Sequence, residues 1–212
     1  MYIKHYEKEP IMHIILASAS PRRKELIHQI GWTADIEKSS FPEVSTIEEA
    51  EKRRNTPLLT GFQGPDLVCA ENALGKAENI QERTGSPLPI LGADTIVTLD
   101  GKILGKPKDE KDAFSMLRFL SGKTHKVKTA AALLQGKKKL LRVVTTSVHF
   151  RDLTDQEISA YIATGEPMDK AGAYGIQGQG TLLVTGITGS YDNVVGLPLT
   201  TVYEMMKEIR KG

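Results

Sequence analysis

Seven consecutive residues, Ser18-Ala19-Ser20-Pro21-Arg22-Arg23-Lys24, carry the sharpest chemical signal in this chain. Three cations in the first turn of a helix oppose the helix dipole, which favours negative charge at that end. The arrangement is unfavourable unless an anion arrives. Free N–H groups, the hydroxyls of Ser18 and Ser20 and the forks of Arg22 and Arg23 would together cradle a phosphate. A solvated basic turn with an ordinary Ser-Pro cap is the alternative. The second signal is Asp94, in Leu91-Gly92-Ala93-Asp94-Thr95, where an acid interrupts a run that is apolar on both sides. Such a carboxylate is costly to bury unless it is paired or metal-bound. Small neighbours at 92 and 93 leave room for a ligand to approach the backbone. A structural Asp bonded to a nearby loop would look the same.

Four further residues are weaker singly. Glu43 falls in a loop, where a lone Glu is usually solvated. Lys76, in ENALGKAEN, has Glu71 and Glu78 as candidate surface ion-pair partners. Lys106 precedes Pro107, which makes it extended and stiff. Gln177 sits in Tyr174-Gly175-Ile176-Gln177-Gly178-Gln179-Gly180, whose glycines suggest close backbone approach to something, or a turn-rich linker. Other motifs fail. Gly122-Lys123-Thr124 resembles the end of a Walker loop, but Leu117 stands where that motif needs Gly. The five histidines form no HExxH pair, and no G-x-S-x-G elbow is present.

The elements that must position these residues are legible in outline. Residues 13–18 read as a buried strand, and Pro21 to Ile30 as a helix with Leu26, Ile27 and Ile30 on one face. Ser20 is its expected N-cap and Pro21 fits the first helical position. Residues 32–38 suggest a second strand. Residues 1–11 read as a flexible extension, and 55–65 (NTPLLTGFQGP) as a surface loop and an insertion. Asp66 to Arg83 reads as a long helix. LPILGADTIVTLDGKILGKP reads as a hairpin turning at Asp100-Gly101. Asp109 to Leu120 is an amphipathic helix with Ala113, Met116, Leu117 and Leu120 inward. A hairpin over 125–135 and 139–151, a helix opened by a Thr154/Glu157 capping box, a glycine-rich stretch, short strands and a last helix from Leu197 to Arg210 follow. The order β-α-β-α-α-β-β-α-β-β-α-β-α gives an α/β class with a mixed sheet and one domain over 1–212.

Composition narrows the function classes. With 28 basic and 26 acidic residues the net charge is +2, so no global field draws the chain to nucleic acid or membrane. Any anion site must come from local clustering. No apolar run is long enough to span a bilayer, and Ile14 to Ala17 is too short for a secretory segment. The single cysteine, Cys69, excludes a disulfide framework and fits a reducing compartment, so a cytoplasmic location is expected.

Taken in order, ASASPRRKEL, LGADTIV, GKILGKP, AFSMLRFLSGKTHKVKTA, YIATGEPMDKAGAYGIQG and GSYDNVVGLPL resemble the Maf family, also called septum formation inhibitor-type proteins. The likeness runs from about residue 14 to 205, interrupted near 45–70. Arg22-Arg23 with Tyr174-Gly175-Ile176-Gln177 point to the dTTP/UTP pyrophosphatase branch. The resemblance implies an elongated mixed sheet flanked by helices, with a nucleotide-binding cleft between two lobes. It implies hydrolysis of a nucleoside triphosphate to monophosphate and pyrophosphate with Mg²⁺ or Mn²⁺, and a homodimer is expected. Asp94 matches the family's proton acceptor. Arg23, Thr95 and Gln177 match positions of substrate selectivity, and Ser18, Arg22, Glu43, Lys76 and Lys106 match the remaining polar cleft positions. On this reading Asp94 and Glu43 hold the metal, while Arg22, Arg23, Lys76 and Lys106 spread over phosphate oxygens. A CTP or 7-methyl-GTP pyrophosphatase, or a nucleotide-binding division regulator without turnover, are the competing functions.

Overall fold

The central strands are buried on both faces and the helices pack their apolar stripes against them, giving one α/β architecture. A computed structural model describes residues 12–54 and 56–211. Its order is β1 (His13–Ala17), α1 (Pro21–Gln29), β2 (Thr33–Ile36), α2 (Ile47–Arg53), α3 (Gly64–Thr84), β3 (Ile90–Leu99) and β4 (Lys102–Leu104), followed by α4 (Glu110–Leu120), β5 (Thr124–Gln135) and β6 (Lys138–Phe150). α5 (Asp155–Ile162), β7 (Val184–Thr188), α6 (Tyr191–Val195) and α7 (Leu199–Arg210) complete it. Among the described residues seven strands form one sheet, ordered β2-β1-β3-β5-β6-β7 with β4 paired to β3. β1 runs parallel to β2 and β3, and the other pairings are antiparallel. The sheet is mixed, as the element order requires.

β3 is the central strand, and its two-residue period divides the core. Ile90 and Ile96 face α3 in one apolar cluster. Leu91 and Ala93 face α1 and α7 in a second. A third cluster at the far end joins Val97 and Leu99 to Leu117 of α4 and Ile158 of α5. At Gly92 a Cβ would sit 2.2 Å from the Ala73 carbonyl oxygen, so α3 lies on β3 as closely as a bare backbone permits. The β3–β4 turn has positive φ at Asp100 (51°) and Gly101 (75°), the two-residue geometry that Asp-Gly favours. A capping box opens α5 at Thr154/Glu157, and a second opens α2 at Thr46/Glu49. No helix among the described residues is long and apolar enough to cross a membrane.

Two sequence expectations change, and a third is untested. Ser20 occupies the N-cap position of α1, but its side chain makes no capping bond there. Its N–H donates instead to the Ser18 hydroxyl at 3.2 Å, which draws the turn back toward β1. Within the 55–65 segment, Pro57–Leu59 form a 3₁₀ turn, Leu59 is fully buried, and α3 already begins at Gly64. That segment is therefore tied to the core rather than confined to the surface. The expected extension at 1–11 lies outside the described residues.

Candidate active site

The end of β1, the middle of β3, the start of α1 and the middle of α3 line a cleft of about 1150 Å³ together with β4, α4 and the segment 169–177. Ser18, Ser20, Arg22, Arg23 and Glu43 line one wall. Lys76, Asp94 and Thr95 line its interior, and the exposed Lys106 and Gln177 also border it. The structure thus brings together every residue singled out from the sequence. Their partners differ from expectation.

Asp94 is 8% exposed and is held from two sides by α3. Lys76 Nζ lies 2.7 Å from its Oδ1, and Asn72 Nδ2 donates to its Oδ2 at 3.1 Å. Lys76 also meets Glu43 Oε1 at 3.0 Å. Lys76 is therefore a buried bridge between two carboxylates, and pairs with neither Glu71 nor Glu78. Asn72 completes the frame: it accepts from Val44 N–H at 2.8 Å and donates to Val44 C=O at 2.9 Å, tying the loop after Glu43 to α3. The same loop packs Phe41 onto Gly75, where a Cβ would lie 2.2 Å from the ring. Asn72 was missed in the sequence. Its signal was available as a second polar residue four positions before Lys76, on the same face of a largely buried helix.

Arg23 is half-buried and fully oriented. Its Nε donates to the Gly196 carbonyl at 2.8 Å, Nη1 to Ser18 Oγ at 3.1 Å and Nη2 to Thr95 Oγ1 at 3.0 Å. Thr95 is braced in turn by Thr129 at 3.0 Å. Burial draws the Arg23 guanidinium below its ordinary value, while Asp94 and Glu43 pull it back up and Arg22 pushes it down. A guanidinium starts high enough to stay charged. From the sequence alone, Arg23→Ala should hold or raise resting stability by removing repulsion with the helix dipole. The three bonds reverse that sign. Without nucleotide, Arg23→Ala is expected to lose roughly 1–3 kcal/mol, because the Gly196 carbonyl and two hydroxyls lose their donor. A thermal melt of the apo protein checks this, and an unchanged or higher midpoint would restore the dipole explanation.

Arg22 reaches across the cleft to Asp169, with Nη1 3.1 Å from Oδ2, and Lys170 meets the other Asp169 oxygen at 2.7 Å. Neither Asp169 nor Lys170 was singled out in the sequence. Lys106 and Gln177 are exposed. Cations outnumber carboxylates along the cleft, and Asp94 is oriented within it by Lys76 and Asn72, so the cleft suits a polyanion and a positioned water.

A model of the Maf-like protein family matches residues 13–209. Over 199 residues the chain is 46% identical to a dTTP/UTP pyrophosphatase of Clostridium botulinum (strain Eklund 17B / Type B), covering 93% of this chain and 99% of the relative. It is 46% identical over 194 residues to a dTTP/UTP pyrophosphatase of Shigella dysenteriae serotype 1, covering 91% of each. A dTTP/UTP pyrophosphatase of Shewanella denitrificans is 48% identical over 188 residues, covering 87% of this chain and 90% of the relative.

Proposed function

This chain belongs to the Maf family, and from that premise we propose that it hydrolyses dTTP and UTP to the monophosphate and pyrophosphate. The observation that carries the reading is Asp94, an oriented carboxylate beside Lys76 in the same cleft as Arg22, Arg23 and Lys106. A cleft that only held nucleotide would gain little from an acid aimed at anionic phosphates.

In the reaction, a water attacks the α-phosphorus, a new P–O bond forms and the bond to the bridging oxygen breaks. Asp94 takes the proton of that water. Lys76 and Asn72 keep the acceptor oxygens in place through the step. Arg22 and Lys106 bind the phosphate oxygens and stabilise the charge that develops on departing pyrophosphate. Ser18 and Thr95 fix the Arg23 fork, whose remaining N–H groups can meet a phosphate. Ser20 adds a hydroxyl at the mouth.

The donor set fits Mg²⁺ or Mn²⁺. Among the described residues no group of three or more His, Cys, Asp or Glu side chains is gathered for a metal. Two carboxylates together with substrate oxygens are what Mg²⁺ ordinarily takes. Asp94 accepts one bond on each oxygen and keeps lone pairs on both. Asp94 and Glu43 would hold the ion. When bound, it supplies neutralisation of phosphate charge and a lowered water pKa. The buried free Cys69 accords with a cytoplasmic location, and a homodimer, measurable by sedimentation, belongs to the same proposal.

Gln177 gives the test of specificity. Its amide can donate to O4 and accept from N3–H of uracil or thymine, a pattern that cytosine inverts. Gln177→Glu removes the donor, so kcat/KM for UTP over CTP is expected to fall about tenfold. An unchanged ratio would show that Gln177 does not read the base, and preferred turnover of CTP by the parent would overturn the substrate assignment.

A further inference from the structure

Gln177 is carried by a segment, Tyr174–Gly180, that side chains remote from the carboxylates hold in place. The Tyr174 hydroxyl meets His125 Nε2 at 2.7 Å in the buried third cluster. Gly175 N–H donates to the Tyr161 hydroxyl at 3.2 Å. Gln179 N–H donates to Glu166 Oε1 at 3.1 Å. Lys170 reinforces Glu166 by donating to its backbone carbonyl.

Glu166 stands out among these. Its second carboxylate oxygen, Oε2, is buried and makes no hydrogen bond of ordinary length, while the carboxylate interacts with the nearby Tyr161 hydroxyl. A Cβ on Gly178 would lie 2.8 Å and 2.9 Å from the two oxygens, so the carboxylate presses directly on the backbone beside Gln177. A buried, weakly partnered carboxylate oxygen costs stability, so the contact it makes on the backbone is the feature to account for. The explanation lies in what it grips. Ile176 is buried on one side of Gln177, and Gly178 (φ 65°) turns the chain on the other. Between those two points the Gln177 side chain projects, exposed, into the cleft. On a backbone free to shift, the Gln177 amide could approach a base from several positions and serve uracil and cytosine alike. On a backbone fixed at both neighbours it has fewer poses.

We propose that Glu166 is a positioning residue for base selectivity, holding the 178–179 backbone so that Gln177 presents one pose to the base. This rests on the reading that Gln177 meets the base. The steric and hydrogen-bonding facts also fix what each substitution does. Glu166→Ala removes the grip. Glu166→Asp shortens the arm so that it no longer reaches Gln179 N–H. Glu166→Gln keeps both length and an acceptor oxygen.

The experiment is steady-state kinetics of the full chain with Mg²⁺ on UTP, dTTP and CTP. Glu166→Ala and Glu166→Asp are expected to lower the UTP/CTP ratio of kcat/KM about fivefold, mainly through KM for UTP, with kcat for UTP held within about threefold. Glu166→Gln is expected to restore the ratio. Equal loss on all three nucleotides, with the ratio unchanged, would overturn the proposal and leave Glu166 a merely structural clamp. Should Glu166→Ala fail to fold, the Asp and Gln pair decides the matter by the same criterion. If Gln177→Glu moves the ratio and the Glu166 variants do not, base reading by Gln177 stands and its positioning by Glu166 falls. If Gln177→Glu leaves the ratio unchanged, both fall.

Discussion

A purified Asp94→Asn protein is expected to fold, to bind UTP and to hydrolyse it at least about 10²-fold more slowly than the parent. The two side chains have nearly the same shape, so the packing of β3 against α3 is retained. The amide still offers one oxygen to Lys76, and Lys76 keeps its second partner, Glu43. What is lost is local. Asn72 already presents an NH₂ group to this position, and a second NH₂ facing it leaves one donor unpaired, a cost of about 1–2 kcal/mol. That is well short of unfolding a chain of this size. Turnover fails for a different reason: an amide can neither take a proton from water nor contribute negative charge to a cation. Nucleotide binding, measured by calorimetry on the same preparation, separates the two effects. Near-parental hydrolysis by folded Asp94→Asn would sink the assignment of Asp94. Loss of binding together with activity would show that Asp94 organises the cleft rather than the reaction.

How much of this was legible beforehand depends on the kind of information each feature carries. Strand and helix order was legible because apolar periodicity, Asp100-Gly101 and the Thr154/Glu157 box are local signals. Asp94 was legible because a carboxylate between apolar β-formers is anomalous wherever the strand goes. Its partners were not. Lys76 precedes Asp94 by 18 positions, and only the closeness of α3 to β3, permitted by Gly92, brings them to 2.7 Å. The same holds for Gly75, whose place in the packing shows only in the fold, where Phe41 lies on it. Arg23 shows the limit most plainly. Its position predicts repulsion by the dipole, but the bonds that outweigh it come from Gly196 and Thr95, far along the chain. The grip of Glu166 on Gln179 is likewise a contact between two turns, and neither turn's sequence announces it.

Replacing Lys76 by Met is expected to cost about 3 kcal/mol or more, because removing one member of a buried ion pair leaves the other charge uncompensated. Met approximates the length and volume of the Lys stem, so the loss reports charge rather than a cavity. At roughly 2–4 °C per kcal/mol for a chain of this length, the melting midpoint should drop by about 10 °C. The Lys76 and Asp94 side chains are each 11% exposed, so solvent screens little of the interaction, whereas Glu43 at 57% contributes less. The direction of the Mg²⁺ response follows from the same charges. In the parent the Lys76 ammonium offsets one of the two carboxylate charges and sits between them. In Lys76→Met both carboxylates lose their shared cation, so a divalent ion binds the folded state more tightly and stabilises it by mass action. Raising Mg²⁺ to millimolar levels without nucleotide should therefore recover more of the midpoint in the variant than it adds to the parent. A variant that melts like the parent would mean that Lys76 is free for phosphate and not committed to Asp94. A variant that is destabilised but blind to Mg²⁺ would mean that Asp94 and Glu43 do not make a cation site together. Activity of Lys76→Met should be low in either ion, since a carboxylate held by Asn72 alone can rotate away from the water it must deprotonate.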